Sequence, residues 1–118
     1  VYTDKKWILF ILNQLVLNSV KYKKEETRIY MYTKKYEHGV RMVVEDTGVG
    51  IPEGELSRIF EKGFTGTNGR SGVKSTGMGL YLCLCLCEKL GIQIRAESEY
   101  GRGTRMILTF PTNTYLLK

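Results

Sequence analysis

The sequence predicts an α+β fold in which helices pack on one face of a single sheet, forming a two-layer sandwich. Two segments have the apolar spacing of a helix, and four shorter segments have the alternation typical of strands. Their order is helix, two strands, a glycine turn with a long loop, helix, two strands. Because 118 residues are the usual size of one domain, we expect a single domain over residues 1–118.

The first predicted helix, from Asp4 to Tyr22, has two distinct faces. Apolar or small residues recur at steps of three and four and define a core face: Ile8, Ile11, Leu12, Leu15 and Ser19. Gln14, Asn18 and Lys21 recur at helical spacing on a different face, with Tyr22 beside them. The second face therefore presents two amides, an ammonium group and a phenol.

The remaining elements follow from alternation and turn residues. Strands are predicted at 27–35 and 40–45, with residues 37–39 as the hairpin turn between them. A short helical stretch is expected at 53–60, and an apolar helix from about Met78 to Leu90, with Gly91 as its C-cap. Two further strands, 92–98 and 104–110, flank a turn at 100–103.

Composition narrows the functional class. The net charge of +6 suits a polyanionic ligand or partner, although most lysines are expected to be solvated. Cys83, Cys85 and Cys87 are odd in number and closely spaced, so we expect reduced, packed thiols and no disulfide framework. No apolar run reaches the ~18 residues that span a bilayer. We expect the chain to be a piece of a longer protein, since it opens without methionine.

Two segments combine residue types suited to a nucleotide. Asn18 offers a neutral oxygen that suits Mg²⁺, and Lys21, on the same face, could contact a phosphate. Asp46 ends a strand, where an ionised carboxylate can accept a hydrogen bond from the adenine amine, and Gly48 and Gly50 allow the backbone to approach a flat ring. The alternatives are a solvated amphipathic helix and an ordinary strand-ending turn.

Two further segments lie near the long loop. Phe60 and Phe64 stand at its root, where they could pin a hinge or form a small satellite core. Ser75-Thr76-Gly77-Met78-Gly79-Leu80 opens a helix, whose first N–H groups can bind an anion; an ordinary helix start is the alternative. Neither a P-loop nor a G-x-G-x-x-G motif occurs, because Val73 separates Gly72 from Lys74 and neither glycine pair has the third glycine.

These four segments, in this order, resemble the asparagine box, first glycine box, phenylalanine box and second glycine box of histidine kinase catalytic domains. That family belongs to the gyrase, Hsp90, histidine kinase and MutL group, so the resemblance implies a Bergerat-type fold: a mixed sheet with helices on one face and a long ATP lid. The sequence around Asn13-Gln14 and over Ser75–Cys83 is most similar to that of Gram-positive kinases that respond to cell-envelope-active peptides.

The resemblance implies a role for each matching residue. Asn18 would hold Mg²⁺, Lys21 would contact phosphate, Tyr22 would flank the nucleotide and Asp46 would accept the adenine amine, with residues 61–76 as the lid. The other implied nucleotide contacts are Gly48, Gly50, Ile51, Phe60, Thr76, Gly77, Met78, Gly79 and Leu80. Gln14 joins Asn18 and Lys21 as a candidate catalytic residue. Its amide stands four residues before Asn18, where related ATPases carry a glutamate base, so ATP should be held but hydrolysed poorly.

The implied activity is transfer of the γ-phosphate of Mg-ATP to a histidine on separate dimerisation helices. The implied partners are those helices and a response regulator, not nucleic acid, within a membrane-bound homodimer whose catalytic domain is cytoplasmic. The fragment itself should be monomeric, and His38, in a predicted turn, should be a surface residue. Alternatives are an anti-sigma-type serine kinase and a non-catalytic ATP-binding module on the same fold; a basic nucleic-acid binder leaves the four motifs unexplained.

Overall fold

A computed structural model describes residues 5–21, 23–64 and 78–111. Its elements are α1 (Lys5–Lys21), β1 (Ile29–Tyr36), β2 (Gly39–Asp46), α2 (Glu53–Leu56), α3 (Gly79–Leu90), β3 (Gln93–Glu99) and β4 (Gly103–Pro111). Their order confirms the predicted one. The stretch predicted as helical over 53–60 is a single turn of helix followed by turns. Gly91 caps α3 with a φ of 75°, as its position after the last apolar residue predicted.

The four strands form one sheet in the order β1-β2-β4-β3. Asp46, the last residue of β2, lies opposite Ile29 on one side and opposite Thr104 on the other. The α+β class is confirmed. The expected mixed pairing is not found among the four described strands, each of which pairs antiparallel. Two tight hairpins make β1–β2 and β3–β4 antiparallel, and the long connection brings β4 back along β2 in the opposite direction.

The hydrophobic core lies between the sheet and the helices α1 and α3. Helix α1 contributes Ile11 and Leu15, both fully buried, while Ile8 and Leu12 are partly buried against the same cluster. The sheet contributes alternate residues, since successive side chains of a strand point to opposite faces. The rest of the buried cluster is Val44, Ile51, Ile59, Cys83, Cys87, Ile92, Met106, Leu108 and Phe110. The predicted core face of the first helix is thus confirmed.

The sheet face opposite the helices has a polar network over an apolar centre. Glu45 accepts hydrogen bonds from the hydroxyl of Tyr32 and from Nε of Arg105, which also pairs with Glu97 at 3.2 Å. These contacts join all four strands. Val43 and Ile107, on this outer face by alternation, are only 3% exposed. Long side chains such as Glu45, Glu97 and Arg105 cover apolar surface with their stems while their charged ends stay in water.

Helix α3 carries the three cysteines without a disulfide. Cys83 and Cys87 are fully buried against α1 and the sheet, and Cys85 is half-buried. Burial raises the pKa of Cys83 to about 12 and that of Cys87 to about 11. The prediction of packed thiols is confirmed for these two. His38 lies exposed in the β1–β2 turn beside Glu37. None of the described helices is long and apolar enough to cross a bilayer.

Candidate nucleotide-binding site

Asp46 is a buried carboxylate at the end of β2, with only 4% of its surface exposed. The N–H of Gly48 donates to its Oδ1 at 2.9 Å, in the turn that follows the strand. Hydrogen bonding by the hydroxyl of Ser19 and by the N–H of Thr104 also acts to lower the pKa of this carboxyl. Burial raises the pKa of Asp46, and these three hydrogen bonds oppose that shift because they stabilise the ionised form. The site thus holds an acceptor in a largely dehydrated position.

The loop after Asp46 packs tightly against the β3–β4 hairpin. Gly50 has a φ of 77°, and a Cβ there would overlap the backbone carbonyl of Glu99. The N–H of Gly101 donates to the carbonyl of Val49, and the N–H of Ile51 donates to Oγ of Ser98 at 2.7 Å. These contacts explain why glycine is needed at position 50, and they fix the position of the base-binding loop predicted at Gly48 and Gly50.

Helix α1 supplies the polar residues predicted to face the phosphates. Asn18 is 8% exposed and lies beside Ser19, which is 1% exposed. Lys21 follows on the last turn of α1, half-buried, and burial lowers the pKa of its ammonium group. Between them in sequence, Ser19 contributes a hydrogen bond that lowers the pKa of Asp46, so this end of α1 packs against the end of β2.

The start of α3 lies against Gln14. A Cβ on Gly79 would come within 2.6 Å of Oε1 of Gln14. Met78, at the N-cap position, makes no side-chain capping hydrogen bond, so the first N–H groups of α3 keep the polarity that favours an anion. The structure thus brings Gln14 beside Gly79, a contact that the sequence did not predict.

The oxygen donors on α1 fit Mg²⁺ better than a softer metal. Asn18 and Gln14 are one helical turn apart, and both offer neutral amide oxygens, which are hard ligands. Within the described residues, no group of three histidine, cysteine or acidic side chains forms a metal cluster. A magnesium ion held by Asn18 and completed by phosphate oxygens and water matches this donor set, since Mg²⁺ usually keeps several such ligands.

The other predicted contacts are only partly described. Ile51 is 1% exposed within the core cluster, and Phe60 and Phe64 pack against that cluster as partly buried residues. Arg58 lies over the ring of Phe64 at 4.6 Å. The two phenylalanines thus lie at the margin of the main core and form no separate cluster among the described residues, while their role at a hinge stays a prediction. Tyr22, Thr76, Gly77 and lid residues 65–76 lie outside the described residues.

One depression on the surface of the described residues has a volume of about 340 Å³. It lies at the ends of β2, β3 and β4, where Glu45, Glu97 and Arg105 contribute outer-face side chains and Asp46 and Thr104 contribute to its wall. It is open and does not include Asn18, Lys21 or Gly79. The predicted nucleotide contacts on α1 and α3 thus lie outside this depression, whereas Asp46 borders it.

Sequence patterns did not predict the contacts made near Asp46 by Ser98, Gly103 and Thr104. Ser98 donates to the carbonyl of Gly103 at 2.8 Å and lies 2.9 Å from Oγ1 of Thr104. A Cβ on Gly103 would overlap the carbonyl oxygen of Asp46. The paired glycines of Gly101-Arg102-Gly103-Thr104 were the available signal, but they resemble any hairpin turn.

Comparison with known proteins identifies a family and several relatives. Residues 3–114 match the family model of the histidine kinase-, DNA gyrase B- and HSP90-like ATPases. The sensor histidine kinase GraS of Staphylococcus haemolyticus is 42% identical over 118 residues, and the sensor protein kinase GraS of Staphylococcus aureus (strain MRSA252) is 38% identical over 118 residues. These matches cover 99% and 100% of the chain, which spans 34% of the length of each relative.

Solved structures of sensor kinases share the fold. The catalytic domain of histidine kinase ThkA, in a nucleotide-free form, has a TM-score of 0.76 at 28% identity, covering 94% of this chain and 70% of that one. The mycobacterial sensor histidine kinase MprB has a TM-score of 0.83 at 23% identity, covering 94% and 76%. The chain belongs to the family of histidine kinase-, DNA gyrase B- and HSP90-like ATPases.

Proposed function

We propose that residues 1–118 form one catalytic domain that binds Mg-ATP and donates its γ-phosphate to a histidine on separate dimerisation helices. The observation that carries the proposal is the buried Asp46 carboxylate, bonded to α1 and set above a glycine loop. Burial of a carboxylate costs free energy that its hydrogen bonds only partly offset, and carboxylates with perturbed pKa values are common at functional sites. On α1, Asn18 and Lys21 provide the groups that phosphates and Mg²⁺ require.

Each part of the site has a role in this proposal. Asp46 accepts a hydrogen bond from the exocyclic amine of adenine. Asn18 holds Mg²⁺, which neutralises phosphate charge when it is bound. Lys21 contacts a phosphate oxygen, and the first N–H groups of α3 at Gly79 and Leu80 bind the phosphates in the positive end of the helix dipole. Phosphoryl transfer depends mainly on such positioning and charge neutralisation.

The amide of Gln14 favours transfer of the phosphoryl group to a histidine over hydrolysis of ATP by water. An amide cannot remove a proton at neutral pH, so an attacking water gains no general base from this side chain. Gln14 instead contacts the start of α3 and, with Asn18, provides amide oxygens beside the phosphates. ATP should therefore persist until a histidine from the dimerisation helices reaches it.

The parent protein is proposed to be a two-component sensor kinase. Similarity to two staphylococcal sensor kinases supports this role, as does the match to catalytic domains of other histidine kinases. In that setting the partners are the dimerisation helices and a response regulator, the parent is a membrane-bound homodimer, and this domain lies on the cytoplasmic side. Cell-envelope-active peptides are the proposed class of stimulus for the parent protein.

Calorimetric titration with a non-hydrolysable ATP analogue, with and without Mg²⁺, tests the proposal. Asp46→Ala should abolish binding, because it removes the adenine acceptor. Glu45→Ala is the matched control: it removes the adjacent carboxylate of the same strand, which points to the outer face. Binding by the control and by the native chain, but not by Asp46→Ala, places the base at Asp46.

Phosphotransfer is the second stage of the test. The domain is mixed with a polypeptide containing the histidine-bearing helices of the parent and with radiolabelled ATP. We expect label on the helices and none on the domain alone. A folded native domain that binds no nucleotide, or an Asp46→Ala variant that binds as well as the native chain, would contradict the proposal.

A further inference from the structure

Ser98, on β3, uses every hydrogen-bonding position of its hydroxyl. A hydroxyl has one proton to donate and two lone pairs that accept. The proton is donated to the carbonyl oxygen of Gly103 at 2.8 Å, and the N–H of Ile51 donates to Oγ at 2.7 Å. Oγ1 of Thr104 lies 2.9 Å from Oγ and is the donor in that contact, because the proton of Ser98 is used by Gly103. One small side chain therefore joins β3, the start of β4 and the loop from β2 to α2 (residues 47–52).

Ser98 stands in the same row of the sheet as Asp46. Asp46 lies opposite Thr104 on β4, and Thr104 lies opposite Ser98 on β3. Directly opposed residues share a face of a sheet, so these three polar side chains lie on the face that packs against the helices. The next row on that face is apolar and consists of Val44, Met106 and Ala96. The polar row thus marks the edge of the core where the loop 47–52 leaves β2.

The N–H of Ile51 is the part of this loop that needs the hydroxyl. Ile51 is 1% exposed, and a buried N–H without a partner costs free energy. Ser98 supplies the acceptor from a neighbouring strand. Gly50, one residue earlier, packs against the backbone carbonyl of Glu99. The loop is therefore fixed at two successive residues, by a steric contact at position 50 and by a hydrogen bond at position 51.

We propose that Ser98 is a positioning residue for nucleotide binding, whose hydroxyl holds the loop 47–52 in place beside the Asp46 carboxylate before the nucleotide arrives. The inference rests on the function proposed above, in which Asp46 accepts the adenine amine and the loop contacts the ring. Ser98 touches no part of the nucleotide and acts through Ile51. A binding surface that is already ordered loses less conformational entropy when the ligand binds, so it binds more tightly.

A purely structural role for the hydroxyl has a different consequence. Its loss would then lower the stability of the domain but leave the affinity of the folded molecules unchanged. In the positioning role, loss of the hydroxyl leaves the N–H of Ile51 without its acceptor, and the loop gains by moving toward water. Nucleotide affinity then falls even where the domain is fully folded, because binding must restore the loop.

Calorimetry with ADP and Mg²⁺ compares the native domain with three variants of Ser98, below the melting transition of each. Ser98→Ala removes the hydroxyl, and Ser98→Thr keeps it on a side chain that suits a strand. Ser98→Cys has a similar shape but bonds only weakly, and it replaces Ser98→Ala in the test if that variant does not fold. Thr109→Ala is the matched control, because Thr109 is also a buried hydroxyl but lies opposite Gln93, at the other end of the β3–β4 pair.

We expect Ser98→Ala to bind ADP about tenfold more weakly, which corresponds to the loss of one buried hydrogen bond. Ser98→Cys should lie between this variant and the native domain, Ser98→Thr should recover most of the native affinity, and Thr109→Ala should keep it. Native affinity in the folded variants that lack the serine hydroxyl would overturn the inference, and so would an equal loss of affinity in Thr109→Ala.

Hydrogen exchange of the Ile51 amide, followed by NMR, gives a readout of the loop itself. In Ser98→Ala without nucleotide this amide should exchange about tenfold faster than in the native domain, whereas amides in the centre of β2, such as that of Val44, should keep their native rates. Saturating ADP should slow the exchange of Ile51 again. An unchanged rate at Ile51, or an equal increase throughout the sheet, would overturn the inference.

The two proposals fail in different ways. No ADP binding by the native domain, or full ADP binding by Asp46→Ala, would overturn the nucleotide function and with it the role of Ser98. ADP binding that needs Asp46 but is unaffected by loss of the Ser98 hydroxyl would overturn the role of Ser98 alone.

Discussion

Gly50 lies directly against Glu99: a Cβ on this glycine would overlap the backbone carbonyl oxygen of Glu99. Gly50 also has a φ of 77°, in the region that other residues adopt at a cost. The contact joins the loop after β2 to the β3–β4 hairpin, and a bond from Gly101 to Val49 reinforces it. The loop after β2 is therefore held by backbone atoms that cannot move aside.

Substitution of Gly50 by alanine should lower both stability and nucleotide affinity. The left-handed conformation alone costs about 1–2 kcal/mol, and the overlap with Glu99 adds to it. We expect a loss of at least about 2 kcal/mol in the free energy of unfolding, measured by urea denaturation. Nucleotide affinity should fall in calorimetry because the loop must shift.

Substitutions at two other glycines distinguish the cost of a positive φ from the cost of a steric contact. Gly101 has a φ of 93° but open space around its Cβ position, so Gly101→Ala should lose only about 1–2 kcal/mol. Gly54, on α2, has neither a positive φ nor a neighbour within 4 Å, so Gly54→Ala should be neutral or stabilising by up to about 1 kcal/mol. Equal losses at positions 50 and 101 would show that the Glu99 contact has no effect.

The contact between Gln14 and Gly79 should appear as coupling between two variants. Gly79→Ala places a methyl group 2.6 Å from Oε1 of Gln14, the far end of a flexible side chain. We expect a loss of less than about 1 kcal/mol in stability, since the amide can turn away and alanine favours the helix. ATP affinity should fall more clearly, because the displaced amide would lie beside the phosphates.

A double-mutant cycle measures this coupling. Gln14→Ala removes the clash, so Gly79→Ala should cost less affinity in the Gln14→Ala background than in the native chain. Additive losses in ATP affinity would contradict a direct contact between the two residues.

The three cysteines should differ in reactivity in the folded domain. Cys83 and Cys87 are buried, and their pKa values are raised to about 12 and about 11, so almost no thiolate is present at pH 8. Cys85 is half-buried and should be alkylated first by iodoacetamide, as located by mass spectrometry. Urea should make all three react. Rapid labelling of Cys83 in the native domain would contradict the packing and would revive a redox role.

The same thiols predict a loss of stability in alkaline solution. Their folded pKa values lie above the ordinary value of 9.0, so the folded state favours the protonated thiols. This contribution is complete below pH 9 and is lost as pH rises toward 11–12. The free energy of unfolding should fall more steeply above pH 9 in the native chain than in a Cys83→Ala/Cys87→Ala variant. The measurement compares the slopes of this free energy against pH in the two proteins.

Substitutions by alanine at core and surface positions of α1 should lower the free energy of unfolding by very different amounts. Ile11 is fully buried, so Ile11→Ala should lower the free energy of unfolding by about 2–5 kcal/mol. Leu9, on the same helix, is 64% exposed, and Leu9→Ala should cost less than about 0.5 kcal/mol. Urea denaturation measures both, and similar values would contradict the orientation of the helix.

Local patterns were sufficient for the elements and for several site residues. The helical spacing of Ile11 and Leu15, the alternation of β2 and the glycine after α3 all report short-range geometry, which a sequence contains directly. Asp46 and Gly50 were recognised because a carboxylate at a strand end and a glycine turn are local signals. The length of the helix predicted at 53–60 was overestimated, because apolar residues in this stretch pack equally well from a loop and from a helix.

Long-range contacts could not be predicted in this way. The pairing of β2 with β4, the hydrogen bonding of Ser19 with Asp46 and the approach of Gly103 to the Asp46 carbonyl join residues that are 27 to 72 positions apart in sequence. The sequence by itself determined which residues could form helices, strands and a nucleotide-binding loop. Only the tertiary structure decided which donors meet at the carboxylate, because that depends on how the helix and the two hairpins pack around a shared core.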